Sequence, residues 1–172
     1  TNSGSNFINV LNAKLAGRAK IIKVTHGDNY KKLSDVEYVI NCTKREDFKR
    51  LFDALHDIQV DKILYGLSIG ADITAQDTLY LGMLYLTQEL AGKKADNLQL
   101  YLINSNAQVV ANEPTISVAA APLLGFARCA SAEDAALAWV SIDLDGEAFA
   151  VDNLFALLSI NHPVENELAL RG

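Results

Sequence analysis

Gly66-Leu67-Ser68-Ile69-Gly70 spells GxSxG directly after an apolar run. That spacing is the nucleophile elbow of α/β-hydrolases, where a strained turn lifts a serine hydroxyl to the top of a sheet. The elbow needs a helix almost at once, then an acid and a histidine on later strand ends. Here Ala71-Asp72-Ile73 intervene before a helix cap at Thr74. His162 is the only later histidine, in the turn-like Asn161-His162-Pro163. A small α/β serine hydrolase working through Ser68 is thus one candidate, against the plainer reading that the motif is accidental.

The other reactive side chains are scattered. His26 stands at a strand's carboxyl end beside Gly27 and Asp28, where open α/β sheets contact ligands. With Ser105 it marks a second candidate, a free-standing Rossmann-like ligand-binding module. His56 lies beside an apolar helical stripe and reads as an exposed helix residue. Asp143 and Asp145 flank a strand end, and paired carboxylates can hold Mg²⁺ or move protons; followed by Gly146, they read more simply as turn and cap residues. Tyr80 and Tyr85 lack the lysine of a YxxxK pair, being followed four residues on by Leu84 and Glu89. Three scattered His and two scattered Cys make no metal-ligand spacing, so no metal is expected. None of the ten glycines forms GxGxxG or TGxxxGxG, so no NAD(P) pyrophosphate loop is expected.

Short β-branched runs alternate with stretches of helical spacing, the pattern of parallel-sheet α/β architecture. Phe7, Val10, Leu11 and Leu15 share one helical face, closed by Gly17. A strand is expected from Ala19 through Val24, ending at His26, and another over Val36 to Ile40. Thr43 and Glu46 form a capping box for a helix with Phe48, Leu51, Phe52 and Leu55 on one face. Lys62 to Leu67 reads as a strand. It leads to a helix from about Ala75 to Ala91, capped by Thr74 and Asp77. Leu79, Met83, Leu84, Leu86 and Leu90 spread round most of that helix, so it should be buried against the sheet and a neighbour. Leu98 to Ile103 is a strand, residues 104–115 a loop at the sheet's carboxyl edge, and Pro122 the first turn of a helix. A strand around Ala138 to Ile142, a helix carrying Val151, Leu154, Phe155 and Leu158, and a short strand Glu167 to Leu170 close the chain.

The 172 residues are 50% hydrophobic and carry 15 Lys+Arg against 21 Asp+Glu. That suits one domain over residues 1–172, held by packing. A net charge of −6 without a basic face disfavours nucleic acid. The most apolar run, Val118 to Ala127, is interrupted by Pro122 and Gly125, and at about half the ~20 residues of a membrane span it gives no membrane segment. Cys42 and Cys129 form no framework, which with the absence of a signal-like N-terminus points to a reducing, cytoplasmic setting. By the same reasoning Asn41-Cys42-Thr43 is a chance sequon.

The order of segments carries more than any single motif. Pro122-Leu123-Leu124-Gly125-Phe126-Ala127-Arg128, then Trp139-Val140-Ser141-Ile142-Asp143-Leu144-Asp145, then Glu167-Leu168-Ala169-Leu170-Arg171-Gly172 resemble the ketoreductase region of modular type I polyketide synthases, specifically its structural subdomain. Asp47-Phe48 with Leu51-Phe52, the run Lys62 to Ser68, Leu79 to Leu90, and Leu100-Tyr101-Leu102-Ile103 with Ala107-Gln108 agree in order and spacing. Aligned this way, Ser68 is a strand-end residue without a nucleophile role.

The resemblance implies a Rossmann-like, degenerate short-chain-reductase-like fold: an open, mostly parallel sheet with helices on both faces. It implies one of two pseudo-symmetric halves, a fragment of a larger multidomain synthase. NADPH and the Ser-Tyr-Lys catalytic residues belong to the other, catalytic half, so no catalytic, cofactor-binding or metal residue carries over onto this segment. The implied partners are that half and neighbouring enoylreductase, dehydratase or C-methyltransferase domains. The implied role is scaffolding, or that of a spacer in a pseudo-ketoreductase. The pattern's first strand is missing from this sequence, a departure that bears on whether the sheet is complete.

Overall fold

A computed structural model describes residues 3–91, 98–110, 116–145, 149–160 and 165–171. In chain order it forms α1 (Ser3–Leu15), β1 (Lys23–His26), β2 (Lys31–Lys32), β3 (Glu37–Ile40), α2 (Arg45–Ala54), β4 (Lys62–Tyr65), α3 (Gln76–Leu90), β5 (Gln99–Ser105), α4 (Ala121–Glu133), β6 (Trp139–Leu144), α5 (Phe149–Leu158) and β7 (Glu167–Leu170).

The larger sheet has the order β4-β5-β6-β7, every pair parallel. Its centre is β5, whose Leu-Tyr-Leu-Ile run is buried on both faces, as parallel strands require. Side chains alternate across the pleat. Leu100 and Leu102 join Tyr65 and Trp139 in a core shared with α2, α3 and α4. Tyr101 and Ile103 join Val140, Ile142 and Leu144 in a second core with Leu11 of α1 and Val151, Leu154 and Leu158 of α5. Helices thus cover both faces, the expected α/β architecture. The strand order advances the same way at each step, yet α3 and α4 cross one face and α5 the other. The last crossover therefore has the opposite hand to the two before it, a rare arrangement for parallel strands.

The open, mostly parallel sheet is present, its strands in two ladders, β1-β3-β2 and β4-β5-β6-β7, with no pairing between them among the described residues. Several boundaries and caps are corrected. β1 starts at Lys23, not Ala19. Helix α1 is followed by a turn in which Gly17 takes φ +75°, a left-handed conformation that suits glycine after a helix end. β2 was not foreseen; its two lysines pair antiparallel with Val39 and Tyr38 and carry no apolar pattern. The Thr43–Glu46 capping box does not form. Lys44 sits at the N-cap without a side-chain bond, and the Thr43 hydroxyl donates instead to Asn41 Oδ1 at 2.7 Å. β4 ends at Tyr65, two residues early. Thr74 and Asp77 do not cap α3: Asp72 accepts from the Thr74 N–H at 2.8 Å and caps a 3₁₀ turn, Ile73–Ala75, that precedes it. Among the described residues no helix is long and apolar enough to cross a membrane.

Candidate functional site

Parallel sheets expose their chemistry at the carboxyl ends of the strands, and two polar knots lie there. Ser68, just beyond β4, is 2% exposed. Its Oγ lies 3.0 Å from the Ile103 carbonyl and 2.8 Å from Asn104 Oδ1, at the end of β5. Asn104 is fully buried and its Nδ2 has no partner in this orientation. One hydroxyl proton serves one acceptor; with the Asn104 amide turned over, Nδ2 donates to Ser68 Oγ and the hydroxyl donates to Ile103.

The second knot is Asp143, near the end of β6. Its carboxylate accepts from the Ala107 N–H at 2.8 Å, the Gln108 N–H at 3.2 Å and Arg171 Nη2 at 2.8 Å. Arg171, following β7, also donates to the Asp143 carbonyl at 2.8 Å and the Gln108 carbonyl at 3.3 Å. Asn106, at φ +51°, turns the chain between the knots, its N–H donating to the Leu144 carbonyl at 2.9 Å. Three strand ends and the loop after β5 are thereby tied together. A carboxylate held by two amides and a guanidinium is a clamp rather than an open ligand for Mg²⁺.

The remaining candidates do not converge. Ser68 bonds within β5, whereas the His26 ring accepts the Cys42 N–H at Nδ1, 3.2 Å away. His56 projects into solvent beside Asp57, its Nδ1 2.8 Å from the Asp53 carbonyl. His162 and Gly146 lie outside the described residues. Among the described residues no group of three His, Cys, Asp or Glu side chains converges on a point that could hold a metal. A nucleophile needs access to substrate; buried Ser68 has a structural geometry instead. Gly4 lies within α1.

Burial governs the shifts of Cys42 and Tyr65, a hydrogen bond that of Glu167. Desolvation, with the Asp47 charge adding, pushes the Cys42 thiol up to about 12. Burial raises Tyr65 further, its hydroxyl donating to the Leu79 carbonyl. The bidentate hydrogen bond from Arg128, at 2.6 and 2.7 Å, lowers Glu167.

The most distinctive surface lies on α3 and α4. The all-round apolar pattern of α3 predicted burial, and one side does pack on the sheet, but Tyr80 is exposed and Leu81, Leu84 and Tyr85 are only half-buried. Tyr80 meets Phe126 of α4 edge to face, ring centres 5.4 Å apart. Pro122, Gly125 and Cys129 continue the exposed side of α4. Exposed Ile73 and Val118, in the 3₁₀ turns before the two helices, extend it. The sequence signal was the missing polar face on α3.

A family model described as beta-ketoacyl synthase-like, N-terminal, matches residues 2–161. A search of curated proteins finds no match. Among solved structures, the adenylation, ketoreductase and pseudo Asub multidomain structure of a keto acid-selecting NRPS module superposes with a TM-score of 0.82 at 16% identity, covering 96% of this chain and 15% of that one. An N-terminal ketoreductase from the macrolactin assembly line gives a TM-score of 0.65 at 17% identity, covering 89% of this chain and 33% of that one. The chain therefore shares its fold with parts of ketoreductase-bearing assembly-line proteins and spans a third or less of their length.

Proposed function

Because the chain belongs to the beta-ketoacyl synthase-like N-terminal family, we propose that it is the structural, non-catalytic half of a ketoreductase region in a polyketide-type assembly line, scaffolding a separate half that holds NADPH and the catalytic residues. The observation that carries this reading is the pairing of a sealed strand-end region with an uncovered apolar helix pair. Ser68, Asn104 and Asp143 are spent on internal hydrogen bonds. Tyr80 and Phe126 form an outward aromatic ridge beside the small residues Gly125 and Cys129. Exposed apolar patches of this kind mark protein contacts, and the small side chains let another helix approach closely. The fold likeness to ketoreductase-bearing chains supports the choice of partner.

The test is co-expression of this chain with the catalytic ketoreductase half of its own synthase. The two should co-purify, ketone reduction should depend on this chain, and Tyr80→Lys with Phe126→Glu should abolish both. NADPH titrated into this chain alone should show no saturable binding. Micromolar binding, or reductase activity indifferent to this chain, would overturn the reading.

A further inference from the structure

The edge of the large sheet opposite the two polar knots holds a different group of side chains. Lys62 opens β4 and lies beside Gln99, which opens β5. Side chains alternate along a strand, so Lys62, Gln99 and Tyr101 share the face of Leu64, the one covered by α1 and α5. Gln99 Oε1 accepts from both neighbours: Lys62 Nζ donates to it, and the Tyr101 hydroxyl donates at 3.0 Å. Lys62 Nζ also stands 5.7 Å from the centre of the fully buried Tyr101 ring.

The kind of partner sets this lysine apart. Among the described residues Lys14, Lys23 and Lys62 are half-buried, whereas Lys20, Lys31 and Lys49 are exposed. Lys14 pairs with Asp152 and Lys23 with Glu37, so each keeps a carboxylate against its charge. Lys62 has a neutral amide and an aromatic ring. The adjacent acid, Asp61, accepts from Gln59 Nε2 at 3.2 Å. Taking an ammonium out of water costs free energy that a carboxylate can return and an amide returns only in part. Burial accordingly holds the Lys62 amine below the usual lysine range, with the Asp61 charge opposing it. A lysine in that state carries more of its free base, the form whose lone pair attacks carbon.

We infer that Lys62 is an acylation site, a nucleophilic amine that takes a small acyl group from an activated carboxylic acid, either an acyl phosphate or a thioester. The Nζ lone pair attacks the acyl carbon, and the N–C bond forms as the acyl–oxygen or acyl–sulfur bond breaks. Phosphate or thiolate leaves with the bonding electrons, and the surplus proton on nitrogen passes to water. Gln99 Oε1 holds one N–H of the neutral amine and leaves its lone pair available, while the Tyr101 ring offers the acyl methyl an apolar surface. The product amide carries no charge, so the burial that disfavours the ammonium does not oppose it. The site lies away from Ser68 and Asp143 and across the sheet from α3 and α4, and it is independent of the scaffolding role.

The test exposes the folded chain at pH 8 to acetyl phosphate in one arm and to an alkyl thioacetate in the other, stops at low conversion and reads each lysine by peptide mass spectrometry. Lys62 should be acetylated about tenfold or more faster than exposed Lys31 and Lys49 in at least one arm, and the arm that reacts identifies the donor. Its rate should also level off at a lower pH than theirs. Gln99→Glu, which sets a carboxylate against the amine, should slow Lys62 by about tenfold or more and leave Lys31 unchanged. Acetylation of Lys62 no faster than that of Lys31 and Lys49 in both arms overturns the site, as does a rate that climbs with pH in step with theirs. Both readings are made on the unsubstituted chain and stand even where Gln99→Glu does not fold; an unchanged Lys62 rate in a folded Gln99→Glu chain overturns the site as well.

Discussion

Ser68 shows how a motif and its chemistry separate. GxSxG follows a strand as an elbow should, but the hydroxyl turns inward to Ile103 and Asn104. Its removal is expected to act on stability alone. Ser68→Ala leaves a buried carbonyl and the Asn104 amide short of a partner, a loss of about 1–3 kcal/mol, measurable as a lower urea midpoint at unchanged slope. Esterase activity that appears in the parent and disappears in the variant would refute the structural role. The two thiols should separate equally clearly. Cys129 is exposed, and Cys42 is buried with its thiol raised to about 12. Because the thiolate is the reacting species, Ellman's reagent at pH 8 should modify one thiol per folded chain promptly and the second only on unfolding, with Cys129→Ser removing the fast phase.

Among the elements, what could be read from residues was whatever depends on local pattern. Leu98 to Ile103 announced a buried strand, and Phe48, Leu51 and Phe52 a helix face, because burial and period reinforce each other within a few residues. The division of the sheet could not be read, since it depends on which strand edges meet across dozens of residues. The clamp is half-legible: Asp143 reads as a strand-end acid, but Arg171 becomes its partner only once β6 and β7 lie side by side. Glycines carry the same lesson. Gly82 and Gly125 are both mid-helix, yet a Cβ on Gly82 would stand 2.7 Å from the Tyr65 hydroxyl and 3.2 Å from Cys42 Cβ, whereas one on Gly125 meets nothing within 4 Å. Gly82→Ala should push α3 off the sheets and cost about 1–3 kcal/mol. Gly125→Ala should raise stability by about 0.5–1 kcal/mol through helix propensity alone. Thermal melts of the pair check this, and equal effects would contradict the close approach of α3.

For the whole molecule, the arrangement of cores sets an order of stability. β5 and β6 lie between both cores, with Leu102 and Ile142 fully buried. The small sheet is backed by the shared core on one side, its β1 is half-buried and its β2 exposed. Local opening follows such differences in burial, so β1, β2 and β3 should open together below the global transition, while the centre of the large sheet opens only with complete unfolding. Native-state hydrogen exchange in rising denaturant resolves the two. Amides facing into the small ladder, such as Thr25 and Val39, should reach exchange by a smaller opening free energy than those of Leu102 and Ile142. If all four merged at one free energy, the two sheets would be a single cooperative unit.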